Sequence, residues 1–176
     1  GLAADLSAVG VLCRDRQIAM LEDSACALGA SQRGKQCGSF GDVSVLSFHP
    51  RKIVTTGEGG MVLADREDLV TAVRMLRNHG MRTSAGGAEF VLAGYNLRMN
   101  EIEACLGIHQ MSEIARLITG RRHTAQVYKS LLADVEEITL PAEPAGYFHT
   151  YQSYVVLVGE AIDRDSVITE MTRLGV

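Results

Sequence analysis

The alternation of short apolar runs with longer helical patterns predicts an α/β fold built in layers. Two bulk properties agree with it. Hydrophobic residues make up 47% of the chain and charged residues 22%, an ordinary composition for a globular protein. Its 176 residues suffice for one sizeable core and the start of a second.

The elements follow in order. Asp5 caps a predicted helix to about Arg14, with Leu6, Val9 and Leu12 on one face. Residues 17–21 (QIAML) form a short strand that delivers Glu22 and Asp23 at its end. Residues 24–41, rich in Gly and Ser, read as loop. A second strand covers 42–48 (DVSVLSF), a polar glycine-bearing loop 49–60, and a third strand 61–64. Asp65 is expected to cap a helix to about Asn78, with Asp68 as a loose capping-box partner and Leu69, Val73 and Leu76 facing inward. Gly80 closes it. Asn100 and Glu103 open another helix through a capping box. Its apolar positions Ile102, Cys105, Leu106 and Ile108 lead to Met111, Ile114, Leu117 and Ile118, and Gly120 is expected to bend it. After Pro141 and Pro144 come a strand over 151–158 and a helix from about Asp163. The expected division is a large domain over 1–120, a connecting helix and linker over 121–144, and the start of a small domain over 145–176. A start at Gly1 without an initiator methionine and a stop at Gly175-Val176 read as an internal piece of a longer chain.

Charge and composition remove several function classes. A net charge of −4 gives no electrostatic reason to expect nucleic acid or an anionic membrane as partner. No apolar run approaches membrane-spanning length, and the first residues show no basic segment followed by an apolar one. Cys13, Cys26, Cys37 and Cys105 are scattered without a Cys-x-x-Cys pair, which reads as reduced thiols in a cytoplasmic protein. The histidines are equally dispersed, so no metal centre is expected.

In folds of this class ligands sit beyond the carboxyl ends of the strands. One strand ends at Asp23, and the next runs into Ser47-Phe48-His49-Pro50-Arg51-Lys52. An acid, a hydroxyl and an amine converging on one crevice suit a cofactor with a basic ring nitrogen, an anion and an aldehyde. Pyridoxal 5′-phosphate is such a cofactor: a lysine holds it as a Schiff base, and a carboxylate keeps its ring nitrogen protonated. Each residue also has a plainer reading. Lys52 alone is a solvated loop lysine, Asp23 a helix N-cap, and Ser47 a hydroxyl bonded to backbone. Gly57-Glu58-Gly59-Gly60 alone is a turn, and it matches neither a Walker A loop nor a dinucleotide fingerprint.

The order and spacing of these residues resemble the DegT/DnrJ/StrS-type aminotransferase family over nearly the whole chain. The resemblance is carried by Gly1 and Asp5, Glu22-Asp23-Ser24-Ala25, Gly38-Ser39-Phe40-Gly41-Asp42, and the Ser47–Lys52 motif leading into Thr56-Gly57-Glu58-Gly59-Gly60. Arg77-Asn78-His79-Gly80 and Gly94-Tyr95-Asn96-Leu97-Arg98-Met99 add to it. It implies part of a fold-type-I pyridoxal-phosphate-dependent transferase. It also implies Lys52 as the catalytic lysine, Asp23 at the ring nitrogen and Ser47 at the phosphate. Asn96 would reach the phosphate of the neighbouring subunit in a homodimer with shared sites, and His49 would support the site. The implied reaction moves an amino group from L-glutamate to a nucleotide-linked keto-sugar, in the making of polysaccharide or antibiotic sugars. Cys26 departs from the pattern, since the family places Gln or His three residues after the acid, close to the cofactor ring. Two other readings stand beside this one. A sugar dehydratase of the same fold carries His where Lys52 stands, and a regulatory homologue keeps the fold without activity.

Overall fold

The computed structural model describes all 176 residues. The elements are α1 (Leu6–Arg16), β1 (Leu21–Asp23), β2 (Ser31–Gln32), β3 (Lys35–Gln36), β4 (Val43–Ser47), β5 (Gly60–Leu63) and α2 (Glu67–Leu76). They continue with β6 (Met81–Ser84), β7 (Gly87–Phe90), α3 (Glu101–Ser112), α4 (Ile114–Leu131), β8 (Ile138–Thr139), β9 (Tyr147–Phe148), β10 (Leu157–Val158) and α5 (Arg164–Arg173).

The central sheet has the order β1-β4-β5. β1 pairs with β4 in parallel, Asp23 opposite Val45, and β5 returns antiparallel with Gly60 opposite Ser47. Parallel pairing puts the carboxyl ends of β1 and β4 at one edge. The core lies just past that edge. Phe48, Ile53 and Val54 are buried there against Ile118, with Leu28, Leu46, Met99, Ile114 and Leu117 packed around them. Three of the four core residues thus come from a stretch with no regular structure.

Local signals place several elements as expected. Asp5 caps α1 by accepting the Ala8 N–H, and its carboxylate also takes a bond from the buried Gln32 amide at 2.8 Å. Gln32 donates further to the Tyr147 hydroxyl and accepts from the Ser7 backbone and hydroxyl, so one side chain ties α1, β2 and β9 together. Asn100 and Glu103 form a complete capping box on α3. Asp163 caps α5.

Elsewhere the structure corrects the pattern. The first strand begins at Leu21, not at 17, because Gln17 takes a left-handed conformation (φ 53°) that closes α1. The stretch over 24–41 holds a hairpin, β2–β3, whose turn residues Arg33 and Gly34 both have positive φ (51° and 80°), a primed turn that Gly favours. Asp65 does not cap α2: Arg66 occupies the N-cap without a side-chain bond and holds Asp68 in an exposed ion pair instead. Gly120 does not bend its helix. The break falls at Glu113, between α3 and α4, where Ser112 donates back to the His109 carbonyl at 2.7 Å. Of the strand expected over 151–158 only Leu157–Val158 pairs, with β8. Residues 81–90, for which no element was expected, form the β6–β7 hairpin.

The accessible surface is 12147 Å². A compact monomer of this mass, 19.0 kDa, exposes about 8,400 Å². Much of the surplus is apolar: Ile102 and Ile108 on α3 stand 77% and 72% exposed although helical spacing predicts them as core. Uncovered apolar surface of this kind is the material of protein–protein contact.

Candidate active site

The site is built where β1 and β4 end. Asp23 is the last residue of β1 and Ser47 the last of β4. The chain then makes a closed loop over 48–59. The Phe48 N–H donates to the Gly59 carbonyl at 2.9 Å, and the Phe48 carbonyl accepts from the Thr56 N–H at 3.0 Å and the Thr55 hydroxyl at 2.9 Å. Ile53 and Val54 anchor the loop in the core. Gln110 of α3 clamps it from outside, accepting the Thr55 N–H at 3.0 Å and donating to the Thr55 carbonyl at 2.6 Å. Lys52 precedes the anchor by one residue, so its backbone is held on both sides. Its Nζ lies 2.8 Å from Cys26 Sγ, its one hydrogen-bond partner. That contact sets the amine against the turn that follows Asp23.

The other expected residues fall as follows. Asp23 Oδ1 accepts the Ala25 N–H at 3.0 Å, a local turn, and no helix begins there. Its second oxygen is unbonded. Ser47 Oγ accepts the His49 N–H at 3.3 Å, and its proton has no acceptor in the chain. His49 accepts the Arg51 N–H at 3.2 Å through Nδ1, as a satisfied loop histidine does. Asn96 is not brought to this group. It is exposed, forms an isolated bridge with Asn78 beyond the end of α2, and its side chain makes no hydrogen bond.

Glu22 is the residue whose role the sequence reading missed. It is 3% exposed, and its carboxylate accepts five hydrogen bonds. They come from the hydroxyls of Ser24 (2.7 Å) and Ser44 (3.1 Å) and from the N–H groups of Gly38 (2.6 Å), Phe40 (2.8 Å) and Gly41 (3.4 Å). Burial opposes its ionisation, but these donors together outweigh burial and hold its pKa below the usual glutamate range. The Gly38–Asp42 motif is therefore the donor shell of Glu22. At Gly41 a Cβ would meet the Val43 carbonyl oxygen at 2.6 Å, so only glycine fits. Asp42 finishes the motif by accepting the Met20 N–H at 2.8 Å. The signal was present in the strand period: Glu22 and Asp23 point to opposite faces, so one acid faces inward and needs donors. Beneath them the buried Cys37 thiol is pushed up to about 11, first by burial and then by the Glu22 charge.

The free groups match the parts of pyridoxal phosphate. Lys52 offers an amine with no carboxylate partner, Asp23 an unbonded oxygen, and Ser47 an unused hydroxyl proton. These three side chains lie where the parallel strands β1 and β4 end, the part of an α/β sheet at which ligands bind. The chain belongs to the DegT/DnrJ/EryC1/StrS aminotransferase family, whose model matches residues 1–176. The family is pyridoxal-phosphate-dependent. The chain is 34% identical to GDP-perosamine synthase of Caulobacter vibrioides, over 100% of this chain and 48% of that protein. It superposes on the aminotransferase TlmJ of Streptoalloteichus hindustanus with a TM-score of 0.93 at 32% identity, covering 99% of this chain and 48% of that one. It superposes on Spr1654 of Streptococcus pneumoniae, solved in a PLP form, with a TM-score of 0.90 at 25% identity, covering 99% and 50%. The chain thus spans about half the length of the relatives it matches, and its fold is part of a fold-type-I transferase, as expected.

Proposed function

We propose that the full-length protein is an aminotransferase moving an amino group from L-glutamate to a nucleotide-linked keto-sugar, with Lys52 as the lysine that holds the cofactor. The observation that carries this reading is the placement of the Lys52 amine 2.8 Å from Cys26, beside the turn after Asp23 and beyond the end of β4. When bound, the cofactor supplies an electron sink for the carbon that gives or receives nitrogen. The chain's own groups do the rest. Lys52 carries the proton to and from that carbon, and Asp23 keeps a proton on the ring nitrogen through its free oxygen. Ser47 donates to the phosphate. Cys26 fills the space beside the ring with a small side chain that bonds weakly. Glu22 does not react; it fixes the strand that presents Asp23.

We place Asn96 in the partner's site of a homodimer, which fits an exposed side chain that makes no hydrogen bond in its own chain. The domain division at 120 and 144 belongs to the same proposal, as does a cytoplasmic enzyme; no helix is long and apolar enough to cross a membrane. The test is an assay of the full-length protein with glutamate against a panel of keto-sugar nucleotides, alongside borohydride reduction and peptide mapping. Amino-sugar product and label on Lys52 are expected. Label on another lysine, or no transfer to any keto-sugar, overturns the reading.

A further inference from the structure

Gln110 holds the Lys52 loop at Thr55, beyond the lysine, and a second glutamine holds it immediately ahead of the lysine. The Gln152 side-chain amide donates to the Arg51 carbonyl at 2.6 Å, from 101 positions away in sequence. That carbonyl shares a peptide unit with the Lys52 N–H, which donates to the His49 carbonyl at 2.9 Å. A peptide unit is planar, so bonds at both ends fix its plane and, with it, the root of the Lys52 side chain. The loop closes without Gln152, through the bonds that Thr55 and Thr56 make to the Phe48 carbonyl. What the added bond contributes is orientation.

Gln152 reaches this carbonyl through a strained turn. Tyr151 has φ 49°, a left-handed conformation that a bulky aromatic residue rarely adopts and that persists only where its surroundings hold it. Here they do. The Tyr151 N–H donates to His149 Nδ1 at 2.9 Å, and the two rings stack with centroids 4.0 Å apart. Arg121 of α4 donates to the Tyr151 and Gln152 carbonyls at 3.4 and 3.3 Å, and Arg122 to the His149 carbonyl at 2.6 Å. The same segment also reaches the turn against which the lysine amine rests. The Thr150 N–H donates to the Gly1 carbonyl at 3.1 Å, and the Gly1 nitrogen donates to the carbonyl of Cys26, whose thiol meets Lys52 Nζ. We propose that Gln152 is a positioning residue for Lys52, holding the peptide from which the catalytic side chain projects; the inference rests on the reading given under Proposed function. Proton transfer by the Lys52 amine falls steeply when the amine is misplaced, whereas substrate binding does not pass through this peptide.

The experiment compares three variants of the full-length enzyme. Gln152→Ala removes the donor, Gln152→Glu keeps the shape without a donor, and Gln152→Lys restores a donor of similar reach. Both donor-less variants should lose about ten-fold or more in the limiting single-turnover rate of each half-reaction, with half-saturating glutamate within about two-fold of wild type. Gln152→Lys should recover most of the rate. Hydrogen exchange gives a readout apart from turnover. Amides over 49–56 should exchange faster in the donor-less variants, with or without cofactor, while those over 38–44 around Glu22 keep wild-type protection. Wild-type single-turnover rates in both donor-less variants overturn the proposal. So do slow variants that Gln152→Lys fails to rescue and that melt lower with faster exchange throughout, since that pattern is a merely structural role. Borohydride label on a lysine other than Lys52 overturns the aminotransferase reading instead, and exchange over 49–56 still reports whether Gln152 holds the loop.

Discussion

Residues 21–60 and residues 77–98 both carry polar groups expected at the site, and they are built in opposite ways. In the first stretch the groups around the strand ends are bonded inside the chain. Glu22 has five donors, the loop over 48–59 closes on itself, and Gln110 clamps it. Among the groups expected at the site, the Lys52 amine meets only Cys26, one oxygen of Asp23 is unbonded and the Ser47 proton has no acceptor. In the second stretch the β6–β7 hairpin is exposed at every position except Met81, the Asn96 side chain is unbonded, and Arg77 and Arg98 stand without acids. A group left free on a rigid frame is poised for a ligand at no ordering cost. A group left free on an exposed hairpin gains its order only when something docks against it.

The sharpest way to break this contrast is Lys52→Ala in the full-length enzyme. It should abolish the absorbance of the lysine-bound cofactor, since no other lysine stands on the loop; an unchanged spectrum would show that the rigid half is not the site. Asp23→Asn should still bind cofactor but slow each half-reaction, because one charge-assisted bond is worth roughly 1.5–3 kcal/mol, about ten- to a hundredfold. Near wild-type half-reactions would reduce Asp23 to the turn residue that its bond to Ala25 already makes it.

Mixing tests the other region. Lys52→Ala and Asn96→Ala subunits, each nearly inactive alone, should regain activity toward half of wild type when combined. One site of each heterodimer then collects both defects and the other none. No rescue, with heterodimers confirmed by mass spectrometry, would return Asn96 to its own chain.

Stability should separate the regions as well. Glu22→Gln leaves backbone donors facing an amide, and a buried group so unpaired costs about 1–3 kcal/mol, read as a lower urea midpoint. Because the folded Glu22 is shifted down, its contribution is present at and above the usual carboxylate range. It is lost as pH falls through the lowered value, so the variant should show a flatter loss of stability in acid than the wild type. Arg82→Ala, which removes the exposed hairpin pair with Glu89, should change stability by less than about 1 kcal/mol. A larger effect would mean that the hairpin is not the loosely held region described here.

The helices and the site were legible to different degrees. Asn100 with Glu103 is a short-range signal, and its capping box forms as spacing predicts; α5 starts where expected, with Asp163 as its cap. Asp65 failed as a cap because Arg66 engages Asp68 and the helix starts later. Gly120 was misread as a bend because a glycine weakens a helix without breaking it when neighbouring turns stay bonded. The β2–β3 hairpin was hidden because its strands are two residues each and β2 gains its further partner, β9, from more than a hundred residues away.

The sequence by itself determined the α/β alternation, the capped starts of α1, α3 and α5, and the residue types that a lysine-bound aldehyde cofactor needs, because these follow from periodicity and from side-chain chemistry a few residues apart. Tertiary structure decided what depends on contacts between distant segments. It set the Lys52 amine against Cys26, turned the Gly38–Asp42 motif into the donor shell of Glu22, and brought Gln152 to the Arg51 carbonyl. Helix α3 shows the boundary between the two. Its sequence fixes a capped helix with apolar spacing, yet Ile102 and Ile108 lie on the surface, because what an apolar face packs against is a property of the whole assembly and not of the helix.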